Sequence, residues 1–175
     1  MQRLATALYN LEVPTIAAVN GPAIGAGLDL ACMCDIRIAS EKAKFAASFI
    51  KVGIIPGDGG AWLLPRVVGL SRAMEMSFTG DTIDAQAALA CGLVSRVVPA
   101  AELMATVLAA AQQICEFSGP SVMMAKESVN RAYEGALAEG IVFERRLFHS
   151  LFATEDQKEG MDAFVAKRKP AFRQR

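Results

Sequence analysis

The stretch 20–35, NGPAIGAGLDLACMCD, constrains this chain more than any other. Before it runs Pro14-Thr15-Ile16-Ala17-Ala18-Val19, an apolar segment that reads as a buried strand. Its second half, rich in Ala, Leu and Met, reads as a short helix over about 25–33. Gly21, Pro22, Gly25 and Gly27 stand between, and glycines there permit a tight corner and close packing of the helix on a sheet. One carboxylate, Asp29, falls inside the apolar helix, one turn past the corner. It could complement the helix dipole, or it could carry a proton at a site built by the corner.

Residues 35–40, DIRIAS, alternate as a second strand, and another short extended piece begins at Phe45. GIIPGDGG (53–60) is turn-rich and leads to a helix over about 59–68, which Pro65 should kink or end. Asp58 is a candidate N-cap for that helix, Ser71 for one over 72–78, and Asp84 for one that Gly92 closes. LVSRVV (93–98) is the last expected strand. Beyond Pro99 the pattern turns helical, at about 101–117, 121–133, 136–153 and 155–168. Gly119-Pro120 stops one helix and starts the next, and Thr154 with Gln157 has capping-box spacing. Leu137, Ile141, Phe148, Leu151 and Phe152 form a wide apolar stripe. The expected division is an α/β core at 1–98 and a helical region at 99–175.

Composition removes several classes of function. Of 175 residues 53% are hydrophobic, enough for a real core. Lys+Arg and Asp+Glu are equal at 18, so a nucleic-acid partner is not expected. Residues 13–34 are apolar, but Asn20, Asp29 and the glycine-proline corner make them a poor membrane span. The N-terminus lacks the charged and continuous apolar regions of a signal peptide, so a cytoplasmic protein away from membranes is expected. Cys32, Cys34, Cys91 and Cys115 sit in apolar contexts without zinc-site spacing and read as reduced, buried thiols, with no metal expected. His149, the only histidine, has no serine or cysteine motif beside it.

A strand that enters glycines and then a helix presents amides without partners of their own, an arrangement that receives anions. A dinucleotide fingerprint fails because Gly25 and Gly27 would need a third glycine at Leu30, and no phosphate-loop lysine follows. The same amides could instead hold a developing oxyanion. Small residues at Gly25, Ala26 and Gly27 would let a carbonyl reach the backbone. Asp29 lies three residues past Ala26, on the same helix face, where a carboxylate could move a proton beside a thioester carbonyl.

AAVNGPAIGAGLDLACMCDIRIAS, VGIIPGDGGAWLLPRVVG and AMEMSFTGDTIDAQAALACGLVSRVVP resemble the crotonase family of enoyl-CoA hydratases and isomerases. The tail, from KESVN to LFHSLFATEDQKEGMDAFVAKRKP, is similar to that family's C-terminal helices, so the match runs through essentially the whole chain. The resemblance implies an α/β fold: a crotonase-type spiral of strand-strand-helix units, here partial, with a C-terminal helical oligomerisation region. It implies an acyl-CoA thioester substrate, no cofactor beyond the coenzyme A that the substrate carries, and a homotrimer or hexamer. Ala26 matches the position whose amide forms half of the family's oxyanion hole. Asp29 stands where hydratases keep the first of two catalytic glutamates. Gly57 matches a position whose N–H helps hold water or substrate. Phe148 and Lys167 match residues that meet the adenine and phosphates of CoA, often across a subunit boundary.

Two departures from the family pattern bear on function. Phe49 stands where hydratases place their second glutamate, and a phenyl ring can line the substrate cavity but cannot position water or deliver a proton. Asp58 could swing a carboxylate into the same cavity. Asp29 and Asp58 would then form a rearranged acid/base pair, closer to a double-bond isomerase or an unusual hydratase. Family members also carry an N-terminal part with early strands and the other oxyanion amide. Either the sequence is a fragment or mis-started reading of a longer protein, or something else covers the exposed core; weak binding and slow turnover are expected of a chain without that part. The expected function is acyl-CoA processing of the enoyl-CoA hydratase/isomerase type, with a thioester enolate stabilised in an oxyanion hole. The alternatives are a non-catalytic acyl-CoA-binding or assembly subunit and a CoA-thioester hydrolase on the same scaffold.

Overall fold

A computed structural model describes residues 2–175, which form two compact units. The first contains the chain up to Leu11 together with Thr15–Ala109; the second contains Glu12–Pro14 and Ala110–Arg175.

In the first unit the order is α1 (Gln2–Tyr9), β1 (Ile16–Val19), β2 (Pro22–Ile24), α2 (Ala26–Met33), β3 (Ile36–Ser40) and β4 (Lys44–Ala46). A 3-10 turn over Ser48–Val52 follows, then α3 (Gly60–Val68), α4 (Leu70–Thr79), β5 (Ile83–Asp84), α5 (Ala85–Ala90) and β6 (Arg96–Val98). A strand-strand-helix unit thus occurs as β1-β2-α2 and again as β3-β4-α3. First strands pair with first strands in parallel, Ile16 with Ile36 through Val19 with Ala39. Second strands do the same, Pro22 with Lys44 through Ile24 with Ala46. The result is two three-stranded sheets, β1-β3-β6 and β2-β4-β5, with β5 antiparallel to β4. This is the expected spiral: successive turns stack in register, and each crossover lets parallel neighbours meet.

The glycine corner is longer than the sequence suggests, because Pro22–Ile24 within it is itself a strand. Three residues are too few to show alternation, and an edge strand tolerates a proline at its first position. Leu28, Ala31, Cys32 and Met33 of α2 enter the core with Phe45, Leu63, Leu64, Met76 and Leu93, so α2 is apolar on most sides because most sides are covered.

Several local expectations change. The residue before α3 is Gly59, left-handed at φ 95°, with no side-chain cap, so Asp58 is not the N-cap. Gly69 (φ 79°) precedes α4, and Ser71 lies within that helix. In both places a glycine that turns the backbone decides where the helix begins. Pro65 does not end α3, which continues to Val68. The carbonyl that loses its donor belongs to Ala61, on the exposed side, where water can reach it. Asp84 does cap α5, its carboxylate accepting the Ala87 N–H at 2.8 Å. Cys115, expected to be buried, is exposed.

α6 (Leu103–Cys115) spans the change from the first unit to the second. In the second unit α7 (Gly119–Arg131) packs on α8 (Leu137–Leu151), and α9 (Glu155–Val165) is capped by Thr154, whose hydroxyl accepts from Gln157 N at 3.1 Å. The final residues are fastened to this unit. Arg168 forks onto Glu159, Arg173 N donates to Asp156 Oδ1 at 2.6 Å, and Gly119 N donates to Gln174 Oε1 at 2.6 Å. Along α8 and at its C-cap, Leu137, Ile141, Phe148 and Phe152 are exposed. Among the described residues no helix is long and apolar enough to cross a membrane.

Candidate active site

Gly25 carries the chain out of β2 at φ 56° and ψ −120°, a conformation that strains any side chain. Its N–H donates to Ala46 O at 2.9 Å, which ties the corner to β4. Helix α2 starts at once, and the Asp29 amide donates to Gly25 O at 3.1 Å. The amides of Ala26, Gly27 and Leu28 precede that bond and find no carbonyl within their own helix. Ala26 is half-buried, and the space beside Gly27 Cα is open.

Asp29 sits one turn in and is only 2% exposed. Its Oδ2 is buried and has no hydrogen-bond partner among the described residues. The acid is turned inward, away from bulk solvent. Burial, first, and the charge of Asp58, second, raise its pKa to about 6, while a hydrogen bond donated by the backbone N–H of Gly60 acts in the opposite sense. Asp58 lies half-buried in the loop before α3, so its charge reaches the acid and its carboxylate is not spent on capping.

Phe49 closes the corner from another side. A Cβ placed on Gly25 would stand 3.6 Å from Phe49 Cζ, so the half-buried ring lies directly against the corner. It presents apolar surface to the corner. Gly57 is exposed in the following loop. The structure therefore gathers Gly25, Ala26, Gly27, Asp29, Phe49 and Asp58 in the first unit. Phe148 and Lys167 belong to the second: Phe148 is 56% exposed, its ring edge-on to Phe152 at 5.2 Å, and Lys167 is exposed just beyond α9.

Cys32, on the same helix, is a poor nucleophile. Burial pushes its thiol up to about 12; Arg37 counteracts this in part, and the Asp29 charge adds to it. Among the described residues no three His, Cys, Asp or Glu side chains are grouped to hold a metal. One residue escaped the sequence reading. Gly60, the first residue of α3, is buried against the Asp29 carboxyl, and the only written trace of it is the glycine doublet 59–60.

A two-sheet spiral with a buried acid one turn into a glycine-cornered helix defines a crotonase-fold α/β protein, and comparison with known proteins agrees. A family model described as enoyl-CoA hydratase/isomerase matches residues 1–175. A probable enoyl-CoA hydratase of Rhizobium meliloti is 57% identical over 166 residues, which is 95% of this chain and 65% of that protein. A probable enoyl-CoA hydratase of Mycobacterium tuberculosis is 53% identical over 168 residues, 96% of this chain and 65% of that protein. The crystal structure of an enoyl-CoA hydratase from Bacillus anthracis superposes with a TM-score of 0.96 at 36% identity, covering 99% of this chain and 67% of that one. The chain belongs to the enoyl-CoA hydratase/isomerase (crotonase) family. It spans about 65% of the length of these curated relatives.

Proposed function

We propose that this chain provides the proton-transfer side of an acyl-CoA-processing site of the enoyl-CoA hydratase/isomerase type. The Ala26 amide donates to the thioester oxygen as an enolate develops, a bond whose loss costs about 3 kcal/mol of activation free energy. Asp29 takes the proton from the carbon beside the thioester and returns it along the chain. The observation that carries this reading is Asp29 itself: buried, with Oδ2 free of partners among the described residues, and with its pKa raised by burial and by the Asp58 charge to about 6, so both protonation states are accessible near neutral pH.

Phe49 favours isomerisation over hydration. In a 3-enoyl thioester one carboxylate suffices: it removes a Cα proton, the electron pair spreads to a dienolate, and the same acid protonates Cγ to leave the 2-enoyl product. Water addition needs a further polar group, and Asp58, whose charge reaches Asp29, is the candidate, which keeps hydration as the second reading. The names of the relatives also support hydration. Phe148 and Lys167 are assigned to the adenine and phosphates of CoA, with no other cofactor, in a cytoplasmic homotrimer or hexamer. Parallel assays separate the reactions: crotonyl-CoA loses its enone absorbance on hydration, and a 3-enoyl-CoA gains it on isomerisation. Asp29→Asn is expected to keep acyl-CoA binding and lose turnover by at least about a hundredfold. Undiminished turnover in that variant refutes the assignment.

A further inference from the structure

The two glycines at the start of α3 are needed for different reasons. Gly59 has φ 95°, so its backbone requires a glycine. Gly60 is helical, a conformation open to every residue, and yet it too is glycine. A Cβ built on Gly60 would overlap Asp29 Oδ1 and Cγ outright and stand 2.6 Å from Oδ2. The three atoms nearest to that missing methyl all belong to one carboxyl group. The N–H of Gly60 precedes the first intrahelical bond of α3, so it is free to donate to the same group.

We propose that Gly60 is a positioning residue for the reaction, its bare Cα and its N–H together holding the Asp29 carboxyl in one place with Oδ2 left for the substrate. The inference rests on the reading of Asp29 as the proton carrier. A methyl at position 60 forces Asp29 into another rotamer or pushes α3 away from α2. Either change moves the reacting oxygen by about an ångström, a displacement that costs about a hundredfold in rate.

The test uses the full chain and two backgrounds. Gly60→Ala is expected to lower kcat by about a hundredfold, with KM for the acyl-CoA within about threefold, and to lower Tm by about 5 °C or more. In Asp29→Ala, which lacks the carboxyl, the same alanine is expected to leave Tm unchanged or raise it, since alanine is the better helix former. A Gly60→Ala chain that folds only in the Asp29→Ala background reports the same coupling. Equal losses of Tm in both backgrounds, or a Gly60→Ala enzyme that keeps its kcat, overturns the proposal. Turnover that survives Asp29→Asn strikes instead at the reading of the acid, while the melting comparison still reports the contact.

Discussion

The environment of Asp29 ties stability, and with it the proposed proton transfer, to pH. Between its ordinary value of 3.8 and about 6, the folded chain keeps a proton that the unfolded chain has released. The stabilisation this provides is fully present below about pH 4 and is lost as pH rises through 6. The displacement amounts to about 3 kcal/mol between neutral and charged carboxyl, a cost the native state bears at neutral pH. Asp29→Asn removes that cost. It is expected to raise Tm at pH 7.5 by about 6 °C or more and to flatten the decline of Tm between pH 4 and 7, as melts across that range will show. An unchanged slope would place the titration elsewhere. Asp58 adds to the rise and the Gly60 N–H opposes it, so Asp58→Asn should move the acidic limb of kcat/KM to lower pH.

Helix ends show where local rules hold and where they yield. Asp84 and Thr154 accept amide protons three residues on and are true caps. Ser71 has a capping side chain but lies inside α4, behind a glycine that has already turned the chain. Asp84→Ala and Thr154→Ala should each cost about 1 kcal/mol in urea unfolding, and Ser71→Ala almost nothing. A loss at Ser71 equal to that at Asp84 would contradict these helix starts. The same contrast explains what could be read from the residues alone. The glycine corner and the acid one turn past it were legible, since both depend on neighbours in sequence. β2 was not, being too short for a period to emerge. The reason for Gly60 was hidden because the atom it makes room for belongs to residue 29, on another helix.

At the scale of the whole molecule, the unresolved quantity is apolar surface. On α8 and its C-cap, Leu137, Ile141, Phe148 and Phe152 fall at spacings of four, seven and four, which places them on one face, and all are exposed. Leu137 is 80% exposed, and a contiguous apolar face of this kind marks a surface meant to be covered. The family resemblance points to further copies of the chain as the cover. Light scattering after size exclusion should then give a mass three or six times the 18.6 kDa of one chain. Ile141 and Phe152 lie on this face and outside the proposed catalytic and CoA contacts, so replacing both with glutamate should bring the mass down to a single chain. Each buried glutamate would have to shed its hydration without a partner, a penalty of several kcal/mol per charge. A wild-type chain that runs as a monomer, or a double variant that stays assembled, would show that α8 is not the contact.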